Sequence, residues 1–591
     1  MNLSKVLASA IGEQRAAWFV SLGITAIFLF FVYFFSSPVP FGDDLPAIYE
    51  YWRRLSEEIT PGEKALVLFS NNYVEHRLLA LSLIVFIGQL FSETVPLPFF
   101  CLSAALLWTG VLLIYWKWLN RTGLSPWWGV VITGVLLSGA SYQTAYWTMA
   151  ALQHFSVVFL CFLTVFLLSR KLSGGYVAAA LVTAFICTFS SGNGMAVWPT
   201  GVLILLINQE RRFLPVWLAG LLFSISLYLA GVRLGETHSG RSLSTVFDSF
   251  WAKSVNLVAG PGGAVLIERS LLDFSDGGVA FSARNPAIYV GIMLLILYLL
   301  VFRMALRRSA AGEPDRIAAA IAGTSLFLLM TYAFITFGRS AGEASFVVFK
   351  SRYYTYSVAA IANGFFALAC LTRNSSWRAW LLGGSLAFTA AFWLVWQCSI
   401  YPILLNQRAI LDIGYTNYLN RGKWVIYQAT SFYENYYHSF FGKEQNKALL
   451  PAPPLLVKAY RNRLESAAGF TPCQDLRVDL LDNGVVYAVS LRNEEAPAIQ
   501  EKGEGYAIAM TSERDTFLLP ALHMRNGVLR FLDSGRATRP GYTLNVLLRK
   551  NDFPPATYRL HQFYFKDDRG VINPDTVGEL LWAQPPSSAD R

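Results

Sequence analysis

Two adjacent carboxylates, Asp43 and Asp44, stand out in "VPFGDDLPAIYEYW" (39–52), behind Pro38, Pro40 and Gly42. They follow at once on the apolar run "AAWFVSLGITAIFLFFVYFFSS". An ionisable group at membrane depth is costly and marks function by default, a rule that applies with reduced force at a membrane edge. A carboxylate there suits a general base towards a hydroxyl. The structural alternative for Asp44 is an N-cap, with Pro46 in the first turn of a helix over 46–55. That alternative accounts for one acid and leaves the pair.

Two further stretches carry chemistry. "SNNYVEHRLLAL" (70–81) sets Glu75, His76 and Arg77 at the head of an apolar helix. Asn72 with Glu75 three residues on fits a capping box. Otherwise Glu75 or His76 faces the same cavity as the aspartates, and Arg77 reads a phosphate or pairs with an aspartate. "FGRSAGEASFVVFKSRYYTYS" (337–357) brings Arg339, Lys350 and Arg352. A guanidinium fork binds anionic oxygens bidentately, which suits phosphate or pyrophosphate. An Arg352 ion pair with Asp43 or Asp44 would still place it in the site. Tyr353, Tyr354 and Tyr356 either stack on a sugar or belong to an interfacial aromatic belt.

Weaker signals are Gln143, Trp147, Gln153 and His154 in "SYQTAYWTMAALQHF", and Asn193 in the Gly-flanked turn "SSGNGMAVWP". Within 232–285, "RLGETHSGRS" and "GPGGA" read as a flexible loop carrying Arg233, His238 and Arg241. A long loop of that kind gates a substrate.

The elements that must position these residues follow from composition. Of 591 residues, 54% are hydrophobic and only 15% charged. Soluble domains carry about 25% charged residues. With a mean hydropathy of +0.41 this is a polytopic membrane protein. A span needs roughly 20 apolar residues, or about 17 at the short end. Runs near 17–37, 98–117, 127–146, 155–170, 176–192, 195–208, 213–231, 286–303, 317–337, 354–371 and 379–398 make about eleven transmembrane helices. "LLALSLIVFIGQLF" (78–91) is short and reads as interfacial or re-entrant within a first external loop, 38–97, the alternative being a further short span.

The net charge is +10, yet the basic residues lie in small groups between apolar runs. Lys117 and Arg121, Arg170 and Lys171, Arg211 and Arg212, Arg303 to Arg316, and Arg373 and Arg378 follow the positive-inside pattern. This arrangement argues against a nucleic-acid partner. It places the N-terminus, with Lys5 and Arg15, in the cytoplasm. An odd number of spans then puts the C-terminal region outside. The first run is too long for a signal h-region and reads as a retained span.

Six scattered cysteines without a CxxC give no metal site and no disulfide framework, a Cys398–Cys473 bridge being the alternative. Residues 1–398 thus read as a transmembrane domain and 399–465 as a helical connector. Residues 466–591 read as a β-rich, sandwich-like domain, because "LRVDLL", "GVVYAVSL", "GYAIAM", "TFLLPAL", "GVLRFL", "YTLNVLLR" and "TYRLHQFYF" recur between turn signals. The tail "QPPSSADR" reads as disordered.

These features carry a resemblance. "GDDL" directly after the first span resembles the acidic motif of the GT-C superfamily of membrane glycosyltransferases in its DDx form. The order "DD", "NYVEHR", "SSGNGMAVWP", "GRS", "SRYYTYS" is also similar to a group of bacterial membrane proteins whose second element commonly reads "HNEHR". Here "NNYVEHR" keeps Glu75, His76 and Arg77 and departs upstream of them. The resemblance covers roughly 15–400 and leaves the β-rich tail aside.

It implies an inverting glycosyltransferase of the bacterial inner membrane that uses a polyprenyl-phosphate-linked sugar, hexosyl or pentosyl. The acceptor would be an envelope glycan, lipid or protein on the extracytoplasmic face. Asp43 or Asp44 would be the base, and Arg339 and Arg352 donor-phosphate ligands. Glu75, His76, Arg77, Gln143, Asn193, Lys350 and Tyr353 would complete the substrate site. With no second acidic cluster in the outer loops, no cofactor is obligatory, although some GT-C enzymes use a divalent metal. The competing expectations are a non-enzymatic transporter or flippase of lipid-linked sugars, and an assembly protein docking through its β-domain. A transporter predicts charged or broken helices near the midplane, often in internal repeats. The sequence shows no repeat, and its charges cluster on one face.

Overall fold

The computed structural model describes residues 3–57, 60–70, 72–73, 76–230, 249–266, 285–338, 349–424, 437–467, 470–481, 486–499, 503–526, 528–536, 538–549 and 553–582. The chain divides into two compact units. One comprises Met1–Ser36, Pro46–Arg269 and Ser275–Trp396; the other comprises Ser37–Leu45, Ser270–Phe274 and Gln397–Arg591.

The first unit is helical. Among the described residues of the chain, eight helices are long and apolar enough to cross a membrane: Gly12–Phe35, Leu97–Thr122, Thr148–Leu168, Arg211–Leu229, Pro286–Ala310, Arg316–Phe337, Ser351–Leu371 and Arg378–Arg421. The helices Leu79–Gln89, Gly174–Thr188 and Gly192–Ile207 are apolar but shorter. At about 1.5 Å per residue each falls short of a ~30 Å hydrocarbon core. Large apolar side chains point outwards along the peripheral helices, among them Phe19, Leu222, Phe223, Tyr289 and Leu299. A soluble surface rarely carries such contiguous apolar area. These are the surfaces of a membrane-embedded protein.

The inner helices are Thr148–Leu168, Arg316–Phe337 and Ser351–Leu371, most of whose residues are buried. The latter two carry small residues on their packed faces, Ala318, Ala319, Ala320 and Ala322 on one and Ala359, Ala360, Ala362 and Ala367 on the other. Small side chains let backbones approach where lipid supplies no hydrophobic drive. Asn363 adds a polar clasp: its Oδ1 accepts from Tyr115 at 3.3 Å and Thr324 at 3.0 Å, while its Nδ2 donates to Ser325 at 2.9 Å.

Several local readings change. The run 127–146 is not one span. It is a helix Trp127–Leu136, a 3₁₀ turn Gly139–Ser141 and a short helix Tyr142–Tyr146. The stretch 70–81 is not a capped helix start. Strand β1 (Asn72–Tyr73) pairs antiparallel with β2 (His76–Arg77), and the helix begins only at Leu79. The capping box forms one motif earlier, at Thr60 and Glu63. There Thr60 N donates to the Glu63 carboxylate at 3.0 Å and Glu63 N to the Thr60 hydroxyl at 3.2 Å. The Thr60 hydroxyl also donates to the Glu63 carboxylate, and this bond, with that from Thr60 N, holds the Glu63 carboxyl below its usual range.

"GPGGA" is not a flexible loop either. It is a buried 3₁₀ turn, Gly260–Val265, behind the helix Phe250–Ala259. Ala264 N donates to the Ser357 hydroxyl at 2.8 Å, and that hydroxyl donates to the Pro261 carbonyl at 2.8 Å. Arg233, His238 and Arg241 lie outside the described residues, as does the tail "QPPSSADR".

The second unit is a β-sandwich with helices on one face. Its five-stranded sheet comprises β3 (Leu464–Glu465), β6 (Glu504–Thr511), β7 (Thr516–Pro520), β10 (Ala556–Lys566) and β11 (Arg569–Trp582), in the order β3-β11-β10-β6-β7. Its four-stranded sheet comprises β4 (Gln474–Leu481), β5 (Val486–Asn493), β8 (Leu522–Arg525) and β9 (Thr538–Arg549), in the order β4-β5-β9-β8. Ile508, Met510 and Leu560 of one sheet share a core with Leu491, Leu544 and Leu548 of the other.

β6 departs from simple alternation, because its opposite face, Ala507 and Ala509, is covered by Ile413, Leu456 and Tyr460 from helical segments. "TFLLPAL" is two strands, not one. β7 ends at Pro520 and pairs with β6, whereas β8 joins the other sheet. Proline cannot donate to a ladder and so ends the first pairing. "GVLRFL" is helical, Val528–Ser534. All six cysteines are free, including Cys398 and Cys473.

Candidate functional site

The helical unit gathers a polar cluster from four separate segments. The break after Leu136 lets the Tyr142–Tyr146 turn run beside the 3₁₀ turn Ser351–Tyr353. Gln143 Oε1 accepts from the Ser351 hydroxyl at 2.8 Å and from Arg352 N at 3.0 Å. Thr144 donates to the Arg352 carbonyl at 2.7 Å and accepts from Thr355 at 2.8 Å. The backbone on both sides of Arg352 is therefore gripped.

The Arg352 guanidinium lies over the Trp147 ring at 5.8 Å and the Tyr353 ring at 5.2 Å. Its Nε is buried without a hydrogen-bond partner, and no carboxylate pairs with it among the described residues. Aromatic faces attract a cation without neutralising it. Arg352 thus keeps a full charge for an anion.

Behind it, His154 on the helix Thr148–Leu168 meets Tyr353 edge-on at 5.6 Å, and its Nδ1 lies 2.9 Å from the Tyr356 hydroxyl. Asn193 Nδ2 donates to the same hydroxyl at 3.0 Å and to Thr331 at 3.3 Å. The turn that carries Asn193 packs hard on the preceding helix. A Cβ at Gly194 would stand 2.0 Å from the Cys187 carbonyl oxygen, so only glycine fits. The same turn is tied by Gln153 Nε2 donating to the Ser191 hydroxyl at 3.0 Å. Gly192 N donates to His76 Nδ1 at 3.3 Å, which leaves the His76 proton on Nε2.

Of the residues singled out by sequence, the fold brings together His76, Gln143, Asn193, Arg352 and Tyr353. Arg77 points elsewhere: it donates to the carbonyls of Phe69 at 3.2 Å and Tyr228 at 3.1 Å and lies over the Phe189 and Tyr228 rings. That is a structural clasp. Lys350 is exposed just before the Ser351–Tyr353 turn. Glu75 and Arg339 lie outside the described residues.

Asp43 and Asp44 belong to the second unit. Asp44 is buried, and its carboxylate turns back to accept from Phe41 N at 2.9 Å, while Asp44 N donates to the Phe41 carbonyl at 3.1 Å. Gly42 takes the positive φ of 53° that this turn requires. A five-residue π-turn, Leu45–Tyr49, follows. Asp44 therefore locks the turn that precedes it. Asp43, beside it, is half-buried. Within the same unit Tyr437 donates to the Pro40 carbonyl at 2.9 Å and stacks on Trp424 at 4.2 Å.

His154 and Tyr356 count for more than their isolated appearance in the sequence suggested. A usable signal was spacing. Trp147 and His154 are seven residues apart, two helical turns. Arg352 and Tyr356 are four apart. Such spacing puts residues on one face of a regular helix, although here Trp147 caps its helix and Arg352 lies in the turn before its own. Among the described residues no three His, Cys, Asp or Glu side chains gather as metal ligands would. The chain matches no family model, no curated protein and no solved structure.

Proposed function

We propose that the chain is a membrane glycosyltransferase of GT-C type that takes its sugar from a polyprenyl-phosphate carrier. The observation that carries the reading is Arg352, a guanidinium cradled by two aromatic rings and gripped through its backbone, with no carboxylate partner among the described residues. Such a group binds the donor phosphate and stabilises the charge that grows there as the glycosidic bond breaks. Tyr353 and Trp147 line the same place. The resemblance of "GDDL" to the acidic motif of that superfamily supports Asp43, next to the turn-locking Asp44, as a base towards an acceptor hydroxyl. The basic groups between apolar runs support a cytoplasmic N-terminus; an extracytoplasmic β-unit and a bacterial inner membrane belong to the same proposal through the GT-C resemblance. The acceptor is an envelope glycan, lipid or protein.

One observation favours a second reading. The helix interrupted at 137–141 is of the kind that transporters use at substrate sites, which fits a carrier of lipid-linked sugars. Purified full-length protein given a polyprenyl-phosphate sugar and an acceptor alcohol separates the two. The enzyme releases polyprenyl phosphate, and Asp43→Asn stops the release while donor binding persists. Movement of intact donor across a vesicle with no release would establish the carrier instead.

A further inference from the structure

We infer that His154 is a second ligand for the phosphoryl group at Arg352, held as a fixed Nε2–H donor by a relay from Asn193 through Tyr356. The inference rests on the phosphate reading of Arg352 and adds the residues that complete the site.

The proton positions follow from donor and acceptor capacity. The Asn193 amide nitrogen can only donate, and it donates to the Tyr356 oxygen at 3.0 Å. Tyr356 has one proton of its own. Among the described residues the only acceptor within reach of it is His154 Nδ1, at 2.9 Å. His154 Nδ1 therefore accepts, and the imidazole proton sits on Nε2. Only 7% of His154 is exposed, and its Nε2 has no partner among the described residues, yet it is not one of the sealed-off polar atoms. It is therefore a donor that a bound group can reach.

Arg352 supplies the complementary half. Its Nε is enclosed and unpartnered. Tyr353 touches both, through its face to Arg352 and edge-on to His154. A cation and a neutral N–H donor that both contact Tyr353 fit a phosphate ester, with the guanidinium on two oxygens and the imidazole on one. The relay matters because a histidine free to change tautomer would present a lone pair to the anion part of the time. Tyr356 and Asn193 are thus positioning residues, and His154 and Arg352 are the ligands.

The test is a titration of detergent-purified full-length protein with farnesyl monophosphate, inorganic phosphate and farnesol. Wild type should bind the phosphate ester and not farnesol. His154→Phe should weaken binding about tenfold, the worth of one charge-assisted hydrogen bond. His154→Gln, whose amide nitrogen reaches nearly the same point, should restore most of it. Tyr356→Phe should weaken binding in the wild-type background and cost nothing further in His154→Phe.

Inorganic phosphate competing at equal concentration would support the anion site and identify a soluble phosphate as its ligand. Preference for the ester would support it and identify a lipid headgroup. Unchanged affinity in His154→Phe, with Arg352→Ala losing binding, would overturn the inference and leave the phosphate reading standing. An equal Tyr356→Phe cost in both backgrounds would also overturn it. Failure of wild type to bind either phosphate would overturn both readings.

Discussion

The Asp44 carboxylate accepts a hydrogen bond from Phe41 N at 2.9 Å, closing the turn that presents its neighbour Asp43. Two acids that look alike in the sequence are thereby separated. Asp43→Asn should abolish sugar transfer and leave the thermal unfolding midpoint unchanged. Asp44→Ala should instead lower stability by about 1–3 kcal/mol, since it strands a buried N–H. Parallel transfer assays and thermal unfolding on the two variants check this. Equal transfer by Asp43→Asn and wild type would sink the base assignment.

Arg77 and Arg352 should respond in opposite ways. Arg77 is spent on two backbone carbonyls and two rings. Arg77→Ala should therefore lower the unfolding midpoint and leave farnesyl phosphate affinity within about twofold. Arg352→Ala should cost affinity at least tenfold with little change in midpoint. The contrast is read by thermal unfolding and ligand titration on the same preparations.

Two asparagines on one helix hold strand backbones. Asn417 Nδ2 donates to the Leu518 carbonyl at 2.8 Å while its Oδ1 accepts from Leu518 N at 2.8 Å. Asn406 does the same for His523, at 3.3 Å and 2.9 Å. They are eleven residues apart, three helical turns, so both amides emerge on one face. Each amide substitutes for a missing neighbouring strand. Asn417→Ala should destabilise the second unit by about 1–3 kcal/mol, because two buried backbone groups lose their partners. Denaturant unfolding measures it, and a change under about 0.5 kcal/mol would contradict this role.

Burial pushes the His523 imidazole down from 6.5 to about 4. Above pH 6.5 both folded and unfolded chains hold it neutral, and its contribution to stability is complete. As pH falls from 6.5 to about 4 the unfolded chain takes up the proton first, so stability declines. Below that it levels off. The full effect is about 3 kcal/mol at most. Unfolding curves of the full chain across this range should show the slope in wild type and a shallower one in His523→Leu. Identical slopes would remove His523 as its source.

Class was legible from sequence because it depends on sums over windows. Apolar runs near membrane length, basic groups between them and recurring short strands survive any detail of packing. Helix ends were legible where they depend on near neighbours, yet Thr60 with Glu63 formed the capping box that Asn72 and Glu75 seemed to offer. In the latter stretch a hairpin competed, and Leu79 N found the Phe189 carbonyl, a partner far along the chain.

What the sequence by itself determined was therefore the membrane body, the β-rich region and the inventory of cations, polar groups and aromatics from which the candidate site is drawn. Only the tertiary structure decided their direction. Arg77 and Arg352 have the same donors and each lies over two rings, but Arg77 also donates to two carbonyl oxygens, whereas the Arg352 guanidinium has no oxygen partner among the described residues. His154 becomes a directed donor because Tyr356 and Asn193 arrive from other helices. A side chain's chemistry is local, whereas its freedom to use that chemistry is set by which distant groups have already claimed its hydrogen bonds.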